Sequence, residues 1–324
     1  MTPKLLGAGW LVVVAASAAS AQPMTFTRVG SFRVPVDTVE LRGSHAYVAG
    51  GRTLAIFDLS DPAAPRRVGA YAFPEQVWSF RLAGSYAYVA ANFFGLGILD
   101  ISNPAAPTLR ASFKTPGQAK AVAVVGTRVL VADHNFGVDV VDVSSLDRPA
   151  GLGSFFVDGY ARDVAASGGL GFAVDAPTGL YILDPSLPGE PEAIGQLQSA
   201  SAPQAIEIME IAGGTPRTIA CVTGGGSLQV FDVTDPARPV HLTTFRTPGG
   251  RPARVALKGT LAYVADGPAG LLVIDLSAPS TPLIVGSYRT MAPARDVAVG
   301  DTLVLVAIGA GEGTEEVVVL AGPR

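Results

Sequence analysis

Six short phrases recur along this chain at nearly constant intervals, and they restrict its fold more than any bulk property does. Each has two apolar residues, an aspartate, an apolar residue and a serine or threonine. The clearest are Ile56-Phe57-Asp58-Leu59-Ser60, Ile98-Leu99-Asp100-Ile101-Ser102 and Val140-Val141-Asp142-Val143-Ser144. Ile182-Leu183-Asp184-Pro185-Ser186 is a looser copy, followed by Val230-Phe231-Asp232-Val233-Thr234 and Val273-Ile274-Asp275-Leu276-Ser277. The aspartates are separated by 42, 42, 42, 48 and 43 residues. The longer step reflects extra residues around Ala212 to Pro216. Self-similarity at such a period marks a solenoid, a propeller or an array of small units.

Each unit holds four strand-like pieces. In the sixth they are residues 253–257, 261–265, 271–276 and 283–288, all rich in Val, Ile, Leu and Tyr and bounded by turn formers. Sustained helical periodicity is missing after residue 21. Four antiparallel strands every 40–45 residues is the sequence form of a propeller blade. A seventh unit starts at Asp296, but Val317-Val318-Val319-Leu320 replaces its aspartate-bearing strand and the unit stops there. Residues 26–32 resemble a fourth strand such as 283–288. The expectation is therefore an all-β, seven-bladed propeller of four-stranded antiparallel blades, with the N-terminal strand completing the last blade and covering its edge.

These phrases resemble the LVIVD repeat of the β-propeller superfamily over nearly all of residues 26–320. Val273-Ile274-Asp275 is close to the motif, whereas Asp184-Pro185 and the seventh unit depart from it. The resemblance implies an exported or surface protein of prokaryotes and brings no catalytic residues with it. The repeated aspartates, Asp58, Asp100, Asp142, Asp184, Asp232 and Asp275, are expected to cap the following turn through its backbone amides.

Residues 1–21 read differently. Lys4, the apolar run 5–16 and Ala19-Ser20-Ala21 have the layout of a secretory signal peptide cut before Gln22, leaving 22–324 as a single propeller domain. An uncleaved anchor helix is the alternative, although a span needs ~20 apolar residues. No later apolar stretch reaches that length without Gly, Pro or charge. Localisation is expected to be periplasmic or secreted, as a monomer. The net charge of −4 and the lack of a basic run argue against a nucleic-acid partner. The one cysteine, Cys221, lies in an apolar strand and reads as a packed thiol.

Function should lie on the more variable face. The first-to-second turns and third-to-fourth corners, which share one face, are short and repetitive. The inter-blade connections and second-to-third loops share the other. The connections bring Asp37, Trp78, Lys120, Arg162 with Asp163, Gln204, Arg254, and Arg295 with Asp296. The loops bring Phe93, Phe94, Asp133, His134, Asn135, Asp175 and Asp266. Trp78, Phe93, Phe94, Lys120, His134, Arg162, Arg254 and Arg295 are the candidate ligand-binding residues. Pairing of Arg162, Arg254 and Arg295 with nearby aspartates is the structural alternative. Glu312, Glu315 and Glu316 read as solvated charge in a Gly-rich loop.

Two functional readings follow. In the first, a noncatalytic scaffold needing no cofactor binds a protein, glycan or small ligand outside the cytoplasm. In the second, a metal-assisted hydrolase or lyase holds Ca²⁺ on Asp133, Asn135, Asp175 and Asp266. With only His45, His134 and His241 and no paired His motif, zinc is poorly supported. Trp78 is the one tryptophan after residue 21, so no repeated Trp docking motif supports a quinone-dependent dehydrogenase.

Overall fold

The computed structural model describes residues 23–177, 179–186, 192–199, 202–212, 215–311 and 313–322. The leader read over residues 1–21 and Glu312 lie outside the described residues. Seven four-stranded antiparallel sheets form the ring, and no helix occurs among the described residues. The blades run from Thr38 to Ala72, Ser79 to Phe113, Ala121 to Phe155, Tyr160 to Gln198, Pro203 to Arg246 and Arg254 to Tyr288. The seventh combines Ala294–Val299, Leu303–Ile308 and Glu316–Ala321 with the N-terminal Thr27–Arg33. Each blade's first strand packs beside those of its neighbours around a central channel.

Seven hydrophobic clusters account for the continuous apolar runs, and each lies between two adjacent blades. Successive side chains of a strand point to opposite faces, so in a propeller they enter two different clusters. Tyr47 and Ala49 join blade 1 to blade 2, while Ala46 and Val48 join blade 1 to blade 7. The middle strands are therefore apolar on both faces, which erases the usual in-out alternation. Cys221 is buried in the cluster between blades 5 and 6, and burial pushes its thiol pKa up, so it packs as a hydrophobe.

Closure follows the expected route. Thr27–Arg33 pairs antiparallel with Glu316–Ala321, with Phe32 opposite Val317. Phe32 stacks on Phe57 of blade 1 with centroids 4.1 Å apart. Arg28 meets Glu316 at 2.7 Å, so Glu316 is not simply solvated charge; Glu315 is also largely buried, 3.9 Å from Arg295.

The repeated phrase works at the corners. The aspartates accept the backbone N–H two residues on: Ser60 and Ser102 at 2.9 Å, Ser144, Ser186 and Ser277 at 2.8 Å, and Thr234 at 3.0 Å. Asp61, Asn103 and Asp235 make a second such bond within the Pro-rich corner. Bonds from the Ser60, Ser102 and Ser186 hydroxyls and then their amides, and from the Ser144 amide and then its hydroxyl, hold Asp58, Asp100, Asp184 and Asp142 below the usual carboxylate range. The corner also meets the preceding blade. A Cβ on Gly69, in the fourth strand of blade 1, would overlap the carbonyl oxygen of Pro104 in blade 2. Gly30 and Gly195 meet Pro62 and Pro236 in the same way, which explains a recurring glycine that the strand itself does not need.

Candidate functional site

First-strand residues line the channel in three layers. The outermost, at the mouth, takes one residue from each blade: Asp37, Trp78, Lys120, Arg162, Gln204, Ala253 and Arg295. The second holds Asp163, Arg254 and Asp296 among small residues, and the third holds Glu40, Arg81 and Glu207. A simple strand would not turn both Arg162 and Asp163 to the same side. The ladder skips a residue between Ala161 and Asp163, between Pro203 and Ala205, and between Ala294 and Asp296. Arg162, Gln204 and Arg295 are the skipped residues, so these bulges re-aim them to the mouth.

The inner layers form an ionic network. Arg81 bridges Glu40 at 3.4 Å and also binds Glu207, while Arg254 meets Asp163 at 2.8 Å. Carboxylates also tie blades together. Glu40 accepts the amide of Leu82 at 3.1 Å, Asp163 that of Ile206 at 3.1 Å, and Asp296 that of Val39 at 2.9 Å. The last bond joins blade 7 to blade 1. Burial raises the Glu40 pKa to about 7 despite Arg81, and burial likewise raises Glu207 and Asp296. Glu40, Arg81 and Glu207 were not singled out from sequence. Their signal is present in Val39-Glu40-Leu41, Phe80-Arg81-Leu82 and Ile206-Glu207-Ile208, where one charge sits between apolar residues on a first strand. A second overlooked group is Asp139, buried on the third strand of blade 3 beside Asp133. Burial raises its pKa to about 6, and Ser154 donates to it.

The mouth is a cavity of about 490 Å³ to which His134 and Arg254 also contribute. The Lys120 ammonium lies over the exposed Trp78 ring, 4.0 Å from its centroid. His134 stacks on Tyr160 at 4.7 Å, and its backbone adopts a positive φ of 52°. Its carbonyl accepts the amide of Ala161 from the next blade. Asn92 and Gly267 occupy the same backbone position and bond Ala119 and Ala294 likewise. The His134 backbone thus repeats a structural role, while its ring belongs to the mouth. Burial, followed by the charge of Lys120, lowers its pKa.

The other candidates separate. Arg254 is paired with Asp163, and Arg295 with Asp37 at 3.2 Å. Arg162 is exposed and has no side-chain partner among the described residues. Phe93 is 49 % exposed, whereas Phe94 packs edge-on against Phe73. Phe136, Phe156 and Tyr160 extend the exposed aromatics across blades 3 and 4.

The loop aspartates face inward to backbone amides. Asp133 takes Thr115 Oγ1 at 2.8 Å and the Gly117 amide at 2.5 Å. Asp175 takes the amides of Gly159 and Gly179. Asp266 takes Thr247 Oγ1 and the amides of Gly249 and Arg251. Asn135 is exposed beside His134. Among the described residues, no group of three or more His, Cys, Asp or Glu side chains is placed to hold a metal ion. No helix among them is long and apolar enough to cross a membrane.

A family model of the LVIVD repeat matches residues 36–72, 76–115, 116–155, 158–198 and 249–290. The looser fourth unit is matched, while the fifth, with its longer first hairpin, and the seventh are not. No curated protein matches the chain. The β-propeller domain of Cps50 (Swd1) from Myceliophteria thermophila aligns with a TM-score of 0.70 at 13 % identity, over 92 % of this chain and 99 % of that one. The computationally designed Ika8 protein aligns at 0.64 and 10 % identity over 92 % and 99 %. Raptor from Chaetomium thermophilum aligns at 0.73 and 10 % identity, over 93 % of this chain but 30 % of that one. These likenesses show the propeller fold alone.

Proposed function

This chain belongs to the LVIVD repeat family, and on that premise we propose that it is an exported, noncatalytic scaffold that binds a protein, glycan or small ligand through its variable face. One observation carries the reading. On the corner face the recurrent polar groups of six repeats are bonded within the repeat, whereas the opposite face leaves Phe93, Phe136, Phe156 and Tyr160 substantially exposed, together with Arg162, which has no side-chain partner among the described residues. Exposed aromatics beside cations suit recognition of a partner surface. The metal-assisted alternative would first have to break the bonds that hold Asp133, Asp175 and Asp266 to backbone amides.

Export rests on residues 1–21, and N-terminal sequencing of the extracytoplasmic protein should begin at Gln22. Binding is tested by capturing proteins and glycans from the extracytoplasmic fraction. The wild-type chain is compared with a Phe93→Ser/Phe136→Ser/Phe156→Ser variant and with Leu283→Ser, which alters an exposed residue at the corner end. Specific capture lost only in the triple variant supports this face. Loss in Leu283→Ser alone, or no capture at all, overturns it.

A further inference from the structure

We propose that the channel mouth is a binding site for a small oxyanion, a carboxylate or phosphate group carried on a sugar-sized molecule, held between Lys120 and Arg162. The proposal rests on the scaffold reading only in assigning function to this face. Four cationic side chains line the mouth cavity. Arg254 and Arg295 have carboxylate partners in Asp163 and Asp37. Lys120 and Arg162 stand on adjacent blades, and neither side chain has a carboxylate or hydrogen-bond acceptor among the described residues. The Trp78 ring lies under the Lys120 ammonium, with its centroid 4.0 Å away. The two charges act on one another: burial, and then Arg162, lowers the Lys120 pKa.

Like charges gathered in a concave site without a counter-ion concentrate field and attract an anion. The ladder bulge at Arg162 points the same way. It spends a residue of regular pairing to bring the guanidinium to the mouth, beside Asp163, which stays in the layer below. A guanidinium fork meets a planar or tetrahedral oxyanion through two N–H groups, and an ammonium adds a third donor. The cavity of about 490 Å³ admits a hexose-sized body, with Trp78 as its apolar wall. Deeper in the channel the carboxylates Glu40, Asp163, Glu207 and Asp296 outnumber Arg81 and Arg254, so the interior offers an anion no unshared cation and holds it at the mouth.

The test is calorimetric titration of the mature chain at low salt with sodium glucuronate, inorganic phosphate and, as the neutral control, glucose. Binding of glucuronate, phosphate or both, without binding of glucose, is the expected result; the two anions separate a uronate-type source from a phosphate ester. Arg162→Gln and Lys120→Gln should each weaken binding at least tenfold, and Arg162→Lys should keep part of it. Both altered residues are outside the core, so an unchanged melting curve confirms folding. If neither anion binds, if glucose binds equally, or if affinity survives both Gln substitutions, the proposal is overturned. No anion binding by the wild-type chain while partner capture persists would sink this site and leave the scaffold; anion binding without partner capture would sink the scaffold and leave the site.

Discussion

At the corner face, Asp58 and its five equivalents each accept an amide from the turn they begin; at the opposite face, Lys120 and Arg162 stand on neighbouring blades with no acceptor for either among the described residues. The same strands supply both ends. Corner polarity is used locally, within each repeat, and so it can be copied from unit to unit. Mouth polarity is set by residues that vary from blade to blade, from Asp37 through Trp78 to Arg295, with only arginine recurring, at 162 and 295. Repetition therefore serves stability at one end, while departure from repetition accumulates at the end where a ligand would be read. Between them lies the ionic network of the channel, which is unrepeated like the mouth yet internally paired like the corners.

The sharpest way to break this division is at Arg254, which lines the mouth but is tied to the interior. Arg254→Met leaves Asp163, only 1 % exposed, without its counter-ion. Removing one partner of a buried pair costs about 3 kcal/mol or more. Urea denaturation should show that loss, and Asp163→Asn in the same chain should restore much of it. A loss that Asp163→Asn does not relieve would mean that Arg254 acts through packing instead.

At the corner face, Gly69→Ala should cost about 2 kcal/mol, because its Cβ would overlap the Pro104 carbonyl of the next blade. Thermal melts should show the loss, while glucuronate affinity stays unchanged. Gly43→Ala, whose Cβ would meet no atom within 4 Å but whose φ is +56°, separates backbone strain from inter-blade collision.

These residues also mark what could be read without coordinates. The corner aspartates and the closing strand were legible because they depend on spacing and local pattern: Asp to Ser at two residues, and the likeness of residues 26–32 to 283–288. The mouth set was legible because its members lie just before, or within the first residues of, a first strand. Two things were not. Whether Arg162 is paired depends on blades far apart in sequence, as the 91-residue separation of Arg254 and Asp163 shows. The role of Gly69 depends on a carbonyl in another blade. The inner network went unread for a related reason: a lone charge such as Glu40 in an apolar strand becomes informative only once the first strand is known to face the channel.

Acidity distinguishes the interior from the corners by sign. The folded Glu40 pKa is raised to about 7, so between about 4.5 and about 7 the folded state binds a proton that the unfolded state lacks. Its contribution is therefore favourable at low pH and is lost as pH rises from about 4.5 to about 7, by roughly 3 kcal/mol at most. Asp139, raised to about 6, acts in the same direction. Asp58 and Asp100 are lowered, so their contribution is present above the unfolded carboxylate range and is lost as pH falls through their folded values. Urea midpoints should decline from pH 5 to pH 7.5, and Glu40→Gln should flatten that decline. An unaltered slope in Glu40→Gln would place the titration elsewhere.

The smallest effect on folding is expected at the mouth itself. Arg162 has no side-chain partner to lose among the described residues, so Arg162→Gln should move the ligand-free stability by no more than about 0.5 kcal/mol, and upward, because it removes repulsion from Lys120. Salt decides whether this is electrostatic. The Debye length contracts from about 30 Å at 0.01 M to about 3 Å at 1 M, so the advantage of the variant should shrink as salt rises. An advantage that persists at high salt would belong to backbone relaxation at the Ala161–Asp163 bulge. An advantage that disappears with salt would mean that the free protein carries a repulsive pair with no structural return, as expected of a group kept for binding and not for folding.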